Sequence, residues 1–96
     1  MSKLKDKYLI ERYILLKVIR NNPKSTRYWL RSRLSKLGWN MYDQLFRNIL
    51  ERLSKDGLVK LDLEKDYSYS ISITEAGIKE ISNLEMKIKT ILFISG

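Results

Sequence analysis

Apolar residues recur every three or four positions in the first part of the chain, and this spacing predicts amphipathic helices. The first helix runs from about residue 6 to residue 21 and ends at Asn22-Pro23, because a residue that precedes proline is pushed out of the helical region. A second helix begins near Ser25 or Thr26, since both residues are good N-caps. Gly38 then supplies the left-handed residue that ends many helices.

A third helix spans about residues 41 to 56, with Asn40 as its expected N-cap and Gly57 at its end. Asp43 stands three residues after the cap, in the capping-box position. The second and third helices each have one apolar side, which is expected to pack in a core. The residues expected to point inward are Trp29 or Leu30, Leu34 and Leu37 in the second helix, and Tyr42, Phe46, Ile49, Leu50 and Leu53 in the third.

The apolar spacing changes to every second residue over about residues 58 to 74, which predicts a two-stranded hairpin with one apolar face. The alternating apolar residues are Val59, Leu61 and Leu63 before the turn, and Tyr67, Tyr69, Ile71 and Ile73 after it. Thr74 is the expected cap of a last helix over residues 75 to 96. The apolar residues of this helix, with heptad-like spacing in its second half, are Ile78, Ile81, Leu84, Ile88 and Ile91.

The predicted order of elements is helix, helix, helix, hairpin, helix, within one domain that covers residues 1 to 96. This order is typical of a mainly helical α+β fold, the winged helix-turn-helix. In that fold the second helix of the helix-turn-helix pair, here the third helix of the chain, can lie in the major groove of DNA, which is about 12 Å wide. The hairpin, or wing, extends the same surface sideways. The order of elements therefore indicates a protein that binds double-stranded DNA.

The charge of the chain is unevenly distributed. The net charge is +8, and residues 1 to 40 carry 11 Lys or Arg against 2 Asp or Glu, whereas residues 41 to 96 carry 8 against 9. Such an asymmetry favours a positive surface that faces a polyanion such as nucleic acid. Simple solubility is the alternative explanation, because many small proteins are basic.

Residue types that catalysis and metal binding commonly need are absent. The sequence has no cysteine and no histidine, which excludes disulfides, thiolate metal sites and nucleophile pairs built on histidine. We therefore expect no enzymatic activity, no catalytic residue, no cofactor and no metal. No apolar run approaches the roughly 18 residues of a membrane span, and the first residues lack the apolar stretch of a signal peptide. We expect an intracellular, cytoplasmic protein with no membrane partner.

Three stretches of the sequence resemble winged-helix regulators. Residues 46 to 59, FRNILERLSKDGLV, resemble the recognition helix and first wing strand of PadR-like and MarR-like regulators, in which a helix ends in Leu, three polar residues and Gly-Leu-Val. Residues 69 to 77, YSISITEAG, are similar to the end of the wing in these families, and residues 13 to 19, YILLKVI, look like their first helix. Small winged-helix proteins of archaeal viruses share the whole arrangement. The resemblance implies a homodimeric transcription regulator that binds DNA.

The candidate DNA-binding residues lie on the second helix, on the third helix and at the wing tip. Gln44, Arg47 and Asn48 are candidates to read base edges, since Arg pairs well with guanine and Gln or Asn with adenine. The alternative for them is an ordinary solvated helix face. The other candidates, most of them suited to phosphates, are Arg27, Arg31, Arg33, Lys36, Asn40, Tyr42 and Lys65. Acidic neighbours of Lys65 weaken the wing as a binder of anions.

The last helix carries more apolar surface than one small domain is expected to cover, above all at residues 91 to 94, ILFI. Exposed patches of this kind usually mark an interface, so we expect a homodimer, with a core role within one chain as the alternative. The expected dimer contacts are Ile81, Leu84, Ile88, Ile91 and Leu92. Two further functions stay open: a DNA-binding architectural protein without sequence preference, and a winged-helix module that binds proteins only.

Overall fold

The elements of the chain follow the predicted order, with one addition. The computed structural model describes residues 8 to 65 and 69 to 95, so the start of the expected first helix and Tyr67 of the expected hairpin lie outside the described residues. The elements are α1 Leu9–Asn21, β1 Ser25–Thr26, α2 Arg27–Lys36, α3 Asp43–Lys55, β2 Val59–Leu63, β3 Tyr69–Ile73 and α4 Glu75–Ser95. The fold is the mainly helical α+β winged helix, with a three-stranded antiparallel sheet.

Helix α1 lies at the centre of the core, because it contacts elements on several sides. It packs against α4, β3 and α2, and Leu15, Leu16 and Ile19 are completely buried among them. Burying such a side chain stabilises a fold by about 1.5–3 kcal/mol. The side chains that α2, α3, β3 and α4 bury most deeply in the same core are Leu30, Leu34, Phe46, Leu53, Ile71 and Leu84.

Helix α2 begins at its predicted cap, since the Trp29 N–H donates to Thr26 Oγ1 at 3.1 Å. Of the two candidates near its start, Leu30 points inward and Trp29 is exposed. The inward placement predicted for Leu37 is wrong, because this side chain is 58% exposed. Leu37 follows the last helical residue, and the chain turns away at Gly38, which has a φ of +89°.

The sheet contains a strand that the sequence analysis missed. Residues Ser25 and Thr26 pair antiparallel with Ile71 and Ser70 of β3, so the strand order is β1-β3-β2 rather than a two-stranded hairpin. A segment of two residues is too short to show an alternating pattern. Because Thr26 belongs both to β1 and to the cap of α2, this strand attaches the start of α2 to the wing.

Helix α3 begins later than predicted. The prediction of Asn40 as its N-cap is wrong, because Tyr42 is the N-cap and Asp43 is the first helical residue. Asn40 Oδ1 instead accepts a hydrogen bond from the Ser35 hydroxyl at 2.9 Å, and the next residue, Met41, is buried. These contacts hold the turn against α2 before α3 starts. Tyr42 is 66% exposed and is therefore not a core residue, whereas the other four predicted inward residues of the helix are buried.

The two longer strands pair in the register that the alternating pattern requires. Leu61 lies opposite Ile71 and Leu63 lies opposite Tyr69, which places the apolar residues of both strands on one face of the sheet. Ile71 is fully buried, whereas Leu63 and Tyr69, at the far end of the hairpin, are more than half exposed. The apolar face of the hairpin therefore extends past the core.

The wing junction is the point where α3 ends, β2 begins and α4 starts, and it consists of Gly57, Leu58, Thr74 and Gly77. The Thr74 hydroxyl donates to the Gly57 carbonyl at 2.6 Å and accepts from the Gly77 N–H at 3.1 Å. The Thr74 N–H donates to the Leu58 carbonyl at 3.1 Å. Thr74 therefore caps α4 as predicted, and Gly57 ends α3 with a φ of +75°, which glycine adopts at low cost.

A polar contact aligns α4 on α1. The Tyr13 hydroxyl donates to Glu85 Oε2 at 2.8 Å, and Lys89 Nζ lies 3.5 Å from the other carboxylate oxygen. The hydrogen bond from Tyr13, followed by the nearby charge of Lys89, holds the pKa of Glu85 below its ordinary value. A carboxylate with a lowered pKa stabilises the fold above its unfolded-state pKa, and this stabilisation is lost as the pH falls through the folded-state pKa.

Gly77→Ala should destabilise the fold by about 3 kcal/mol. A Cβ at this position would collide with the Leu58 carbonyl and lie 2.6 Å from Ile73 Cγ1. At an open helix position the same change stabilises by about 1 kcal/mol, because alanine has the higher helix propensity. Urea unfolding measures the difference, and the pair Lys79→Gly and Lys79→Ala at an exposed position of α4 is the control. A more stable Gly77→Ala chain would contradict the close approach.

Candidate nucleic-acid interface

The outward side of α3 is polar and exposed. Gln44, Arg47, Asn48 and Glu51 share this side, opposite the buried apolar residues of the helix. Gln44 Nε2 donates to Asn48 Oδ1 at 2.9 Å, so the two amide side chains are joined. The structure thus brings the three predicted base-reading residues to one solvent-facing surface.

A first groove of about 810 Å³ separates α2 from the start of α3. It offers guanidinium, hydroxyl and amide groups, which suit contacts to phosphate oxygens. Its polar and aromatic residues include Arg27, Tyr28 and Arg31 of α2, and Asn40, Tyr42 and Asp43 of the turn and α3. Four of the predicted DNA-binding residues, Arg27, Arg31, Asn40 and Tyr42, are therefore brought together.

A second groove of about 660 Å³ lies between α2, α3 and the sheet. Arg47 of α3 and Tyr69 of β3 line it, and Arg27 and Tyr28 line this groove as well as the first. Tyr28 is 88% exposed, and with Arg27 it lies where the two grooves adjoin. The grooves therefore make one continuous surface that runs from the turn before α3 to the wing.

Asp43 joins the two helices that border the first groove. Its Oδ1 lies 3.4 Å from a terminal nitrogen (Nη1) of Arg31, and its Oδ2 lies 3.3 Å from Nε of Arg47. Arg31 Nε also donates to the Met41 carbonyl at 3.3 Å. The start of α3 is thus tied to α2 through Arg31, while Asp43 contacts two of the three arginines that line the grooves, Arg31 and Arg47.

The four predicted cations of α2 are divided between two sides of the helix. Arg27 and Arg31 line the grooves, whereas Arg33 and Lys36 are exposed but line neither. Helical spacing explains the division, because residues two positions apart differ by about 200° around the helix axis. Lys65 is exposed in the turn of the wing, outside both grooves.

Tyr28 and Asp43 belong to this surface although neither was predicted to bind DNA. The spacing of Tyr28 to Arg31 and Ser35 could have placed the tyrosine on the groove side of α2. The four-residue spacing of Asp43 and Arg47 is a recognisable helix ion pair. No sequence pattern predicts the contact between Asp43 and Arg31, because it depends on the path of the turn between the two helices.

The apolar stripe of α4 starts at Ile78, which is 47% exposed, is then buried, and becomes exposed again toward the end of the helix. Ile81 and Leu84, predicted as dimer contacts, are 4% and 0% exposed in the core of a single chain. Ile88 is half-buried against that core, and Ile91 and Leu92 are 48% and 65% exposed. Ile81 and Leu84 therefore pack in the core of a single chain, and the uncovered end of the stripe begins after Ile88.

Neither a metal site nor a membrane helix is found in the described part of the chain. Within residues 8 to 65 and 69 to 95, no three acidic side chains are grouped so that they could hold a metal ion. No helix in these ranges is both long and apolar enough to cross a bilayer.

The fold is similar to solved structures of winged-helix proteins. A PadR family transcriptional regulator from Eggerthella lenta matches with a TM-score of 0.77 and 18% identity, over 99% of this chain and 84% of that chain. F93 from STIV, a winged-helix DNA-binding protein, matches with a TM-score of 0.69 and 28% identity, over 85% and 90%. MarR matches with a TM-score of 0.64 and 16% identity, over 94% and 63%. The sequence matches no protein-family model and no curated protein.

These likenesses confirm the resemblance to PadR-like, MarR-like and archaeal viral winged-helix proteins at the level of the fold. Because these sequence identities are low, the likeness concerns the fold, and the site of this chain has its own geometry. That geometry is a polar helix face flanked by two grooves, both of which contain arginine and tyrosine side chains.

Proposed function

We propose that the protein is a transcription regulator that binds double-stranded DNA at specific sequences, with α3 in the major groove and the β2-β3 hairpin as the wing. The observation that carries the proposal is the outward side of α3, where Gln44, Arg47 and Asn48 stand beside grooves that contain Arg27 and Arg31. The Eggerthella lenta protein is a transcriptional regulator and the STIV protein is a DNA-binding protein, which supports the same activity here.

Arg47 is the residue proposed to contribute most to base recognition. Its planar guanidinium can make two hydrogen bonds to O6 and N7 of a guanine in the major groove. Gln44 and Asn48 extend the same face, and their mutual hydrogen bond holds both amides in defined positions from which they can contact adenine. These three residues thus supply the sequence preference in the proposal.

The phosphate contacts are proposed to come mainly from α2 rather than from the wing. Arg27 and Arg31 line the grooves beside α3, and the exposed hydroxyls of Tyr28 and Tyr42 add hydrogen-bond donors to the same surface. On the wing, Lys60 is 3.7 Å from Asp62, so part of its positive charge is already neutralised. The wing is therefore a weaker site for phosphates than α2.

We propose that the protein acts as a homodimer held by the end of α4. Ile91 and Leu92 continue the buried stripe of the helix without cover from the described residues, and Phe93 and Ile94 are still more exposed. A symmetric dimer would bury this patch on both copies. It would also present two copies of α3 to one face of DNA, about 34–36 Å apart if they occupy successive major grooves.

Selection of bound duplexes from a random pool tests the proposed function. We expect enrichment of one motif with a palindromic arrangement, because a twofold dimer reads two equal half-sites. Binding without enrichment would instead support an architectural protein that has no sequence preference. Failure of the chain to bind any duplex would support the module that binds proteins only.

Arg47→Ala should weaken binding to the selected duplex by about 1–3 kcal/mol and relax the preference at one base position. Titration of selected and random duplexes by fluorescence anisotropy measures both effects. Arg52→Ala, in the last turn of α3 and paired with Asp56, is the matched control and should leave the base preference unchanged. Equal losses on the two duplexes would count against base reading by Arg47.

Arg27→Ala or Arg31→Ala should weaken binding to every duplex and flatten the slope of log affinity against log salt by about 0.9 for each phosphate that the variant no longer neutralises. Arg33→Ala, which removes the same charge from the other side of α2, should change the slope less. Binding measured at several salt concentrations provides the comparison. Equal slopes for all three variants would show that the groove side of α2 does not face the DNA backbone.

Leu92→Glu should convert the dimer into monomers and reduce DNA affinity at the same time, because the change buries a charge in the contact and each monomer keeps half of the DNA contacts. Thr90→Glu introduces the same charge on the opposite side of α4, where the hydroxyl already donates to the Met86 carbonyl, and should leave the dimer intact. Sedimentation at micromolar concentration measures the mass. A wild-type mass of 11.4 kDa, that of one chain, would contradict the dimer.

A further inference from the structure

Asp43 brings a carboxylate to the first groove, beside the arginines proposed to contact DNA. One of its oxygens lies 3.4 Å from Arg31 Nη1 and the other lies 3.3 Å from Arg47 Nε, so it contacts an arginine of each helix. All three side chains are about half exposed, at 45%, 47% and 49%. In the free chain this carboxylate occupies the position relative to the arginines that a DNA phosphate could take.

The contact with Asp43 restricts where the guanidinium of Arg47 can point. An unpaired arginine samples many rotamers, and ordering it costs free energy when it binds a base. Asp43 contacts Arg47 through Nε, so this ion pair does not use the two terminal nitrogens that would contact a guanine. The carboxylate can therefore hold the side chain in place and leave its recognition atoms available.

The same carboxylate opposes binding to DNA in general. A duplex that approaches Arg31 either displaces Asp43 from that arginine or brings a phosphate close to the carboxylate, and both events cost free energy. This penalty applies to every DNA sequence. The benefit of an oriented Arg47 applies only where the DNA presents the matching base, so the two effects together increase the ratio of specific to non-specific affinity.

We propose that Asp43 is a positioning residue that determines the specificity of the DNA-binding surface: it orients Arg47 toward the base edge and lowers the affinity of the surface for non-matching duplex. The inference rests on the proposed function, because it requires Arg47 to read a base. Asp43 thereby has a role beside proposed DNA contacts that are made by cations, amides and hydroxyls.

The test compares Asp43→Asn with Asp56→Asn in the full chain. Both changes remove one negative charge from the ends of α3, and Asp56 pairs with Arg52 Nε at 3.4 Å at the far end of the helix, so it controls for net charge. Affinities are measured on the selected duplex and on a shuffled duplex of equal length and composition. For Asp43→Asn we expect about fivefold tighter binding to the shuffled duplex. We expect the ratio of specific to shuffled affinity to fall about tenfold.

A double-mutant cycle separates the orientation of Arg47 from the effect of charge. In the Arg47→Ala chain there is no guanidinium to orient, so adding Asp43→Asn should still tighten binding to the shuffled duplex. The same addition should no longer change the preference at the base position that Arg47 reads. Thermal unfolding of each variant verifies that the fold is retained, as expected for exposed ion pairs, which contribute little to stability.

The outcomes distinguish this inference from the proposed function. If the wild-type chain selects a motif but Asp43→Asn behaves as Asp56→Asn does, the role of Asp43 is overturned and the proposed function stands. The role of Asp43 is also overturned if the effects of Asp43→Asn and Arg47→Ala on the base preference are simply additive. If the wild-type chain selects no motif, the proposed function is overturned, and the inference about Asp43 fails with it.

Discussion

Three of the hydrogen bonds of Thr74 hold together the point where α3, the sheet and α4 meet. Helix α3 ends there, and β2 and α4 begin there, so each has backbone groups that need hydrogen-bond partners. Thr74 provides these partners for Gly57, Leu58 and Gly77. The absence of a side chain at Gly77 lets α4 approach the Leu58 carbonyl closely. The wing therefore leaves α3 at one defined place, and the groove between α3 and the sheet has a defined shape.

The surface around α3 is organised by contacts that α2 makes with the sheet and with the start of α3. Strand β1 attaches the start of α2 to the sheet, and Arg31 attaches α2 to the start of α3 through Met41 and Asp43. The polar face of α3 is thus flanked by two neighbours that these contacts hold in place, as the proposed recognition of DNA requires. The end of α4, in contrast, has no covering element in the described part of the chain. Ile91 and Leu92 lie beyond the core of one chain, and the described residues do not cover them.

The spacing of apolar residues was sufficient to predict the helices, the hairpin and their order, because each element buries one face and the period of that face is visible in the sequence. The turn and cap residues were equally readable: Thr26 and Thr74 accept the hydrogen bonds that start α2 and α4, and Gly38 and Gly57 adopt the left-handed conformations that end α2 and α3. The register of the hairpin followed from the same alternation, since a shift by one residue would expose the apolar face.

Contacts between distant residues were decided by the tertiary structure. Two-residue β1 exists because β3 lies beside it, and its own sequence has no period to detect. Asn40, predicted as a cap, instead accepts a hydrogen bond from Ser35 of the preceding helix, and α3 starts at Asp43. The contact of Arg31 with Asp43 joins residues twelve positions apart across that turn. Local spacing shows which face of an element is apolar, but only packing decides which polar residues of two elements come to share a surface.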